Sequence, residues 1–281
     1  MLTTEEKRRQ KFSQESLNRI KNDQLLDTGL LSRSQSSAAY KRLQESHEDR
    51  VALFNQIKSL DGTTQMSTKA HGLRKLREII ISVFDSKKEN PVFIEFVFKV
   101  YTLTYEVYME QRDFDKIGGI VLEMLMRYLP DQCVQNGFAD LYVVYLSHWE
   151  NNIAKAYDVI RTIRSGLTSR EPLLQLCSLF YGETGAPRYW FQILQEQFNE
   201  NSNQWIIPFL KKSGVIDKMQ KRTLMICAKS YNQLSMPAFQ EMCLQKVTIV
   251  PGLEKFIEET FELETLSDKT QVIYFKRRKV K

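Results

Sequence analysis

Apolar residues recur at three- and four-residue steps along most of this chain, the period of a helix with one buried face. Between residues 40 and 60 the series is Leu43, Val51, Phe54 and Ile57, and Asp61-Gly62 stops it. Leu73 to Phe84 continues with Leu76, Ile80 and Val83. Asn90-Pro91 opens the most apolar stretch, in which Phe93, Phe96, Val97, Val100, Leu103, Tyr105 and Tyr108 spread over more than one face. Such a helix is expected at the centre of a core. Asp113 is expected to cap the next helix, with Ile117, Val121, Met124 and Leu125 inward and Pro130 ending it. Further helices are expected over residues 138–149, 153–163, 172–179 and 189–198, with a short apolar segment at 205–210 interrupted by Pro208. Residues 182–187 read as a loop.

The pattern changes after Gly214. Ile216, Met219, Thr223 and Ile226 mark a helix from Val215 to about Tyr231, and a turn is expected over residues 232–235. Ser235 should cap a second helix with Pro237 in its first turn, reaching about Leu244. Val247-Thr248-Ile249-Val250 is β-branched and reads as a short strand stopped by Pro251-Gly252. A third helix, Leu253 to Thr260, precedes two alternating runs, residues 261–266 and 271–275, joined by Ser267-Asp268-Lys269. That pair reads as a β-hairpin. Helix, helix, strand, helix, hairpin is the order of a winged helix. The expected fold is therefore mainly α: a solenoid of paired helices capped by a C-terminal winged-helix module. The expected parts are an extension at 1–37, a helical-repeat domain at 38–213, the module at 214–275 and a basic tail at 276–281.

The extension changes the picture little. Thr3-x-x-Glu6 matches a capping box and Lys7-Arg8-Arg9-x-Lys11 is basic, but apolar positions are sparse. It is expected to be unfolded or to order on a partner. Low Pro and Gly, 7 and 11 of 281 residues, suit long helices. No apolar run is long enough to cross a bilayer and no signal-peptide pattern opens the chain, so no membrane partner is expected. Cys133, Cys177, Cys227 and Cys243 stand apart in apolar helical contexts and read as free thiols.

Charge narrows the question of nucleic acid. The net charge is +6, and Lys276, Arg277, Arg278, Lys279 and Lys281 supply most of it. The field is local, at a tail that also fits a nuclear-import signal. Lys218, Lys221, Arg222 and Lys229 fall on one face of their helix. With Lys211, Lys212, Lys276, Arg277, Arg278 and Lys279 they form a candidate phosphate-contacting stripe. A solvated helix face accounts for the same pattern. The helix at 237–245 has no Lys or Arg, which argues against base readout in a major groove.

Catalytic patterns are missing. His47, His71 and His148 have no Cys or carboxylate at ligand spacing, and no phosphate loop or nucleophile motif occurs. No metal, no cofactor and no enzymatic activity is expected.

Helix pairs followed by a winged helix resemble the PCI superfamily. Several segments resemble its SAC/GANP branch: Tyr105-Glu106-x-Tyr108-x-Glu110-x-x-Asp113-Phe114, Tyr189-Trp190-Phe191-x-Ile193-Leu194, Lys218-Met219-x-Lys221-Arg222-Thr223-Leu224 leading to Ser230-Tyr231, and Phe256-Ile257-Glu258 before Phe261-Glu262-Leu263. The resemblance covers about residues 92–275. It implies a scaffold subunit in nuclear mRNA biogenesis or export, present in the nucleus, with the cytoplasm also open. Its implied partners are another PCI subunit, a small acidic Dss/Sem-type protein, and RNA or DNA. Two alternatives stay open: a structural subunit of a proteasome-lid, signalosome or translation-initiation-factor complex, and a stand-alone winged-helix nucleic-acid binder.

Overall fold

The computed structural model describes residues 38–60, 65–163, 170–182, 187–198 and 203–276. The extension at 1–37, with its capping box and basic cluster, lies outside them, as do Asp61-Gly62, most of the 182–187 loop and the tail beyond Lys276. The described chain is mainly helical, with one small antiparallel sheet at its C-terminal end. Among the described residues no helix is long and apolar enough to cross a membrane. Contacts group the chain into two units, one up to Ile117 and one from Gly118.

In the first unit the 40–60 segment is two helices, α1 (Ala38–Glu45) and α2 (His47–Lys58). The periodicity ran across the break because Leu43, Phe54 and Ile57 are all buried; Val51 is only half-buried, and Leu53 is buried in addition. Ser46 makes the division: its N–H closes on Arg42 O at 2.8 Å, and its Oγ accepts from Asp49 N at 3.1 Å. Arg50 is 1 % exposed, and its Nη1 donates to Leu43 O and Gln44 O at 2.7 and 2.9 Å. A buried guanidinium thus satisfies the last carbonyls of α1. Helix α3 (Met66–Lys87) and helix α4 (Pro91–Gln111) pack along each other. Asn90 caps α4 through Val92 N and Phe93 N, with Pro91 in the first turn, as the Asn-Pro pair implies. Arg77 is buried between these helices and donates to Thr104 Oγ1 and Tyr108 OH, each at 3.2 Å. Asp113 stands at the N-cap position of α5 (Phe114–Lys116) without a capping bond; its carboxylate takes Lys116 instead.

A π-helical turn, Ile117–Leu122, carries the chain from the first unit into the second. A Cβ at Gly118 would clash with Cε1, Cζ and OH of Tyr145, so any other residue there must displace that ring. Consecutive helices then pack against each other: α6 (Glu123–Tyr128), α7 (Pro130–Gln135), α8 (Phe138–Val144), α9 (Ile153–Thr162), α10 (Arg170–Tyr181) and α11 (Pro187–Gln197). Pro130 both ends one helix and starts the next, since it cannot donate to the preceding turn but fits a first turn. Helix α8 is buried along its whole length and runs into a π turn, Tyr145–Trp149. The 205–210 segment is helix α12 (Ile206–Lys212), with Pro208 in its first turn. It packs on α13 (Val215–Ser230).

The last segment departs from the expected order. The strand lies at β1 (Gln233–Ser235), where a turn was expected, and the 247–250 run is not a strand. Gln220 explains the difference. Its side chain is 0 % exposed; Nε2 donates to Thr248 O at 2.8 Å, and Oε1 accepts from Val250 N at 3.0 Å. The β-branched run is held extended by a side chain from α13 rather than by a neighbouring strand. Ser235 does cap the next helix through Ala238 N, at 3.4 Å. That helix comprises α14 (Met236–Ala238) and a π turn, Phe239–Cys243. Helix α15 (Pro251–Thr260) begins on the proline that was read as a stop, because a first-turn proline loses no helical hydrogen bond. Strands β2 (Glu262–Thr265) and β3 (Gln271–Tyr274) form the hairpin. The sheet order is β1-β3-β2, all antiparallel, with Leu234 opposite Ile273 and Leu263 opposite the same residue on the other side. Ile273 is therefore central and is fully buried.

Candidate functional site

Three of the basic residues on α13 are held by their surroundings. Arg222 Nη1 donates to Phe180 O at 2.8 Å and Nη2 to Gly182 O, which closes the C-terminus of α10. Lys218 Nζ stands 5.1 Å from the centre of the Phe180 ring. Lys221 pairs with Asp217 at 2.8 Å and lies 5.6 Å from the Phe256 ring centre. Lys229 is exposed on the same helix. Lys211 belongs to a different place: it borders an apolar groove of about 430 Å³ with Ile207, Ile216, Ile249 and Lys246. Lys212 is half-buried one residue on, and Lys276 is exposed just past β3. Arg277, Arg278 and Lys279 lie outside the described residues. The structure thus brings Lys218, Arg222 and Lys229 onto one side of α13 and separates Lys211 from them.

Between those cations lie Met225, which the sequence reading did not single out, and Ile226, which it counted in the apolar series of the helix. Met225 and Ile226 are 42 % and 37 % exposed. Together with Tyr181, Arg222 and Lys229 they line a shallow depression of about 320 Å³. The apolar series read for this helix holds at Ile216, Met219 and Thr223, which are buried, and fails at Ile226, which is exposed near the helix end.

Strand β1 separates α13 from α14, and residues 244–250 separate the π turn after α14 from α15, so the two helices expected to form a helix-turn-helix have a strand between them. In α15 (Pro251–Thr260) the charged residues are Glu254, Lys255, Glu258 and Glu259, all exposed. One positive and three negative charges give that helix a net −2, which repels phosphate.

His148 is fully enclosed. Trp190 Nε1 donates to its Nε2 at 3.1 Å, and Nδ1 faces Ser147 Oγ at 2.7 Å. The Cys177 thiol donates to the same Ser147 Oγ at 3.2 Å. With Nε2 accepting, Nδ1 carries the proton, and the imidazole is neutral. Burial lowers its pKa to about 3. Its lone pair is committed to Trp190, so this Ser-His-Cys neighbourhood is a packing network with no free base in it. Among the described residues no group of three or more His, Cys, Asp or Glu could hold a metal ion. Asp140 sits on α8 against Asn203, and burial raises its carboxyl to about 6.

No family model, no curated protein and no solved structure matches this chain.

Proposed function

We propose that this chain is a non-catalytic adaptor, built like a PCI-type subunit of the SAC/GANP kind, that works through protein contacts. The C-terminal part reads as a winged helix: helix, strand, helix, helix, hairpin, with sheet order β1-β3-β2. The stacked helix pairs ahead of it suit a helical-repeat array. The observation that carries the proposal is the surface of α13. Its cations are largely engaged by backbone carbonyls, a carboxylate and ring faces, while Met225 and Ile226 are left open among them. An apolar floor with cationic margins suits an acidic, amphipathic protein segment, the chemistry expected of a Dss/Sem-type partner. Strand β2 pairs on one side only, which offers an edge for a second PCI subunit.

The adaptor reading assigns the chain to nuclear mRNA biogenesis or export, with the basic tail as import signal. RNA or DNA contact is secondary in it, limited to Lys218, Lys229, Lys276 and the tail, because α15 is acidic. Affinity purification of the tagged chain with and without nuclease tests the proposal. Nuclease-resistant recovery of another PCI subunit with a small acidic protein supports it. Recovery of proteasome-lid, signalosome or initiation-factor subunits reassigns the assembly. Partners lost wholly to nuclease would overturn the adaptor role.

A further inference from the structure

Two of the four cysteines meet in the C-terminal module. Cys227 is on α13 and Cys243 ends the π turn after α14; their sulfurs are 3.6 Å apart. Cys227 is buried and Cys243 is partly exposed. Cys133 and Cys177 are fully buried, elsewhere in the unit. Arg188, at the start of α11, lies close enough to Cys243 to act on its charge. Just beyond Cys243, Gln245 and Lys246 both take positive φ, 50° and 64°, so the chain turns sharply away and leaves the thiol at a rim.

We propose that Cys227 and Cys243 form an oxidant-responsive dithiol, in which Cys243 is the attacking thiol and Cys227 resolves it. The roles follow from access and from sulfur contact. A hydroperoxide reaches Cys243 first. The Cys243 thiolate attacks one peroxide oxygen, the O–O bond breaks, and the leaving hydroxide or alkoxide takes up a proton to leave as water or alcohol. Cys243 is now a sulfenic acid. The Cys227 sulfur attacks that sulfur, the S–O bond breaks, and water leaves with the Cys227 proton. The net change is two thiols oxidised to one disulfide and one hydroperoxide reduced. Closing to a bond of about 2 Å needs only a small approach of two groups already in contact. The environment assists the first step: once Cys243 is ionised the Cys227 S–H donates to it, and the Arg188 charge favours the anion, so both lower the Cys243 pKa. The same contact raises Cys227, which stays a protonated thiol until Cys243 is oxidised. The disulfide would tie α13 to the helix that follows β1, and dithiothreitol would release it.

The test uses the reduced full-length chain and hydrogen peroxide. Lys229 lies between the two cysteines, so trypsin separates them unless they are bonded. The expected result is a loss of two hydrogens in intact mass and a single linked peptide pair, Cys227 with Cys243. In Cys227→Ala, dimedone should trap a sulfenic acid at Cys243. In the same variant the midpoint of Cys243 alkylation should rise toward the ordinary thiol value of about 8.5. Cys243→Ala should leave Cys227 unmodified. Peroxide that leaves both thiols free, or that over-oxidises Cys243 while Cys227 stays free, would overturn the proposal.

Discussion

Replacing Gln220 tests whether the C-terminal module is held together as described. Gln220 is a buried amide on α13 that clamps Thr248 O and Val250 N, and so sets the approach to α15. Gln220→Met keeps the volume and removes both hydrogen bonds. Each neutral bond contributes about 1 kcal/mol net, and an unsatisfied buried partner costs about 1–3 kcal/mol. Thr248 is exposed and Val250 half-buried, so water can reach the freed groups and the upper end is discounted. A loss of about 2 kcal/mol is expected, or roughly 4–8 °C in Tm for a unit of this size. Gln220→Glu should cost more. Its carboxylate can still accept from Val250 N, but it faces Thr248 O without a proton and carries a buried charge. Urea unfolding gives the energies, and hydrogen exchange at Val250 N–H gives the location. A Met variant within about 0.5 kcal/mol of wild type, the range of ordinary surface changes, with Val250 still protected, would refute the clamp.

Three further outcomes follow from the same structure. Gly118→Ala should destabilise the second unit by about 1–3 kcal/mol, because the Tyr145 ring occupies the space of the new methyl; calorimetry checks it. His148 and Asp140 should act in opposite directions on acid stability. Unfolded His148 binds a proton below pH 6.5 and the folded one does not until about 3, so it removes up to about 1.4 kcal/mol per pH unit as pH falls through that window. Asp140 has its folded pKa raised to about 6, so it contributes stability below its unfolded value of 3.8 that is lost as pH rises through 6. Asp140→Asn should therefore steepen the acid-side loss between about pH 4 and 6, and His148→Gln should flatten it, both read from urea midpoints across pH. Finally, Lys229→Glu with Lys276→Glu should leave binding to a protein partner of the Met225–Ile226 surface less changed than Met225→Asp does. If RNA binding exists, the double charge reversal should reduce its salt slope, measured by fluorescence anisotropy.

Helices were legible because their signals are local. Asn90-Pro91 and Ser235-x-Pro237 name caps within a few residues, and Phe93 to Tyr108 announces a buried helix by composition. The strand was not legible. Gln233-Leu234-Ser235 is too short and polar to show alternation and exists because β3 lies beside it. The Val247–Val250 run had strand composition, but its hydrogen bonds went to Gln220, about thirty residues earlier. The basic stripe was visible on a helical wheel, yet its Arg222 is spent on carbonyls at the end of α10, some forty residues away. Contacts at such separations leave no mark in local periodicity. The Cys227–Cys243 pair escaped for the same reason, since a spacing of 16 fits no local motif.

The most direct measurement of the adaptor role is a paired purification. The tagged wild-type chain and Met225→Asp/Ile226→Asp are recovered from nuclease-treated extract, after both are shown to have the same Tm. The account predicts stoichiometric protein partners with the wild type, among them a small acidic protein that the variant loses. Identical recovery with both chains, or a wild type that emerges alone and monomeric, would contradict it.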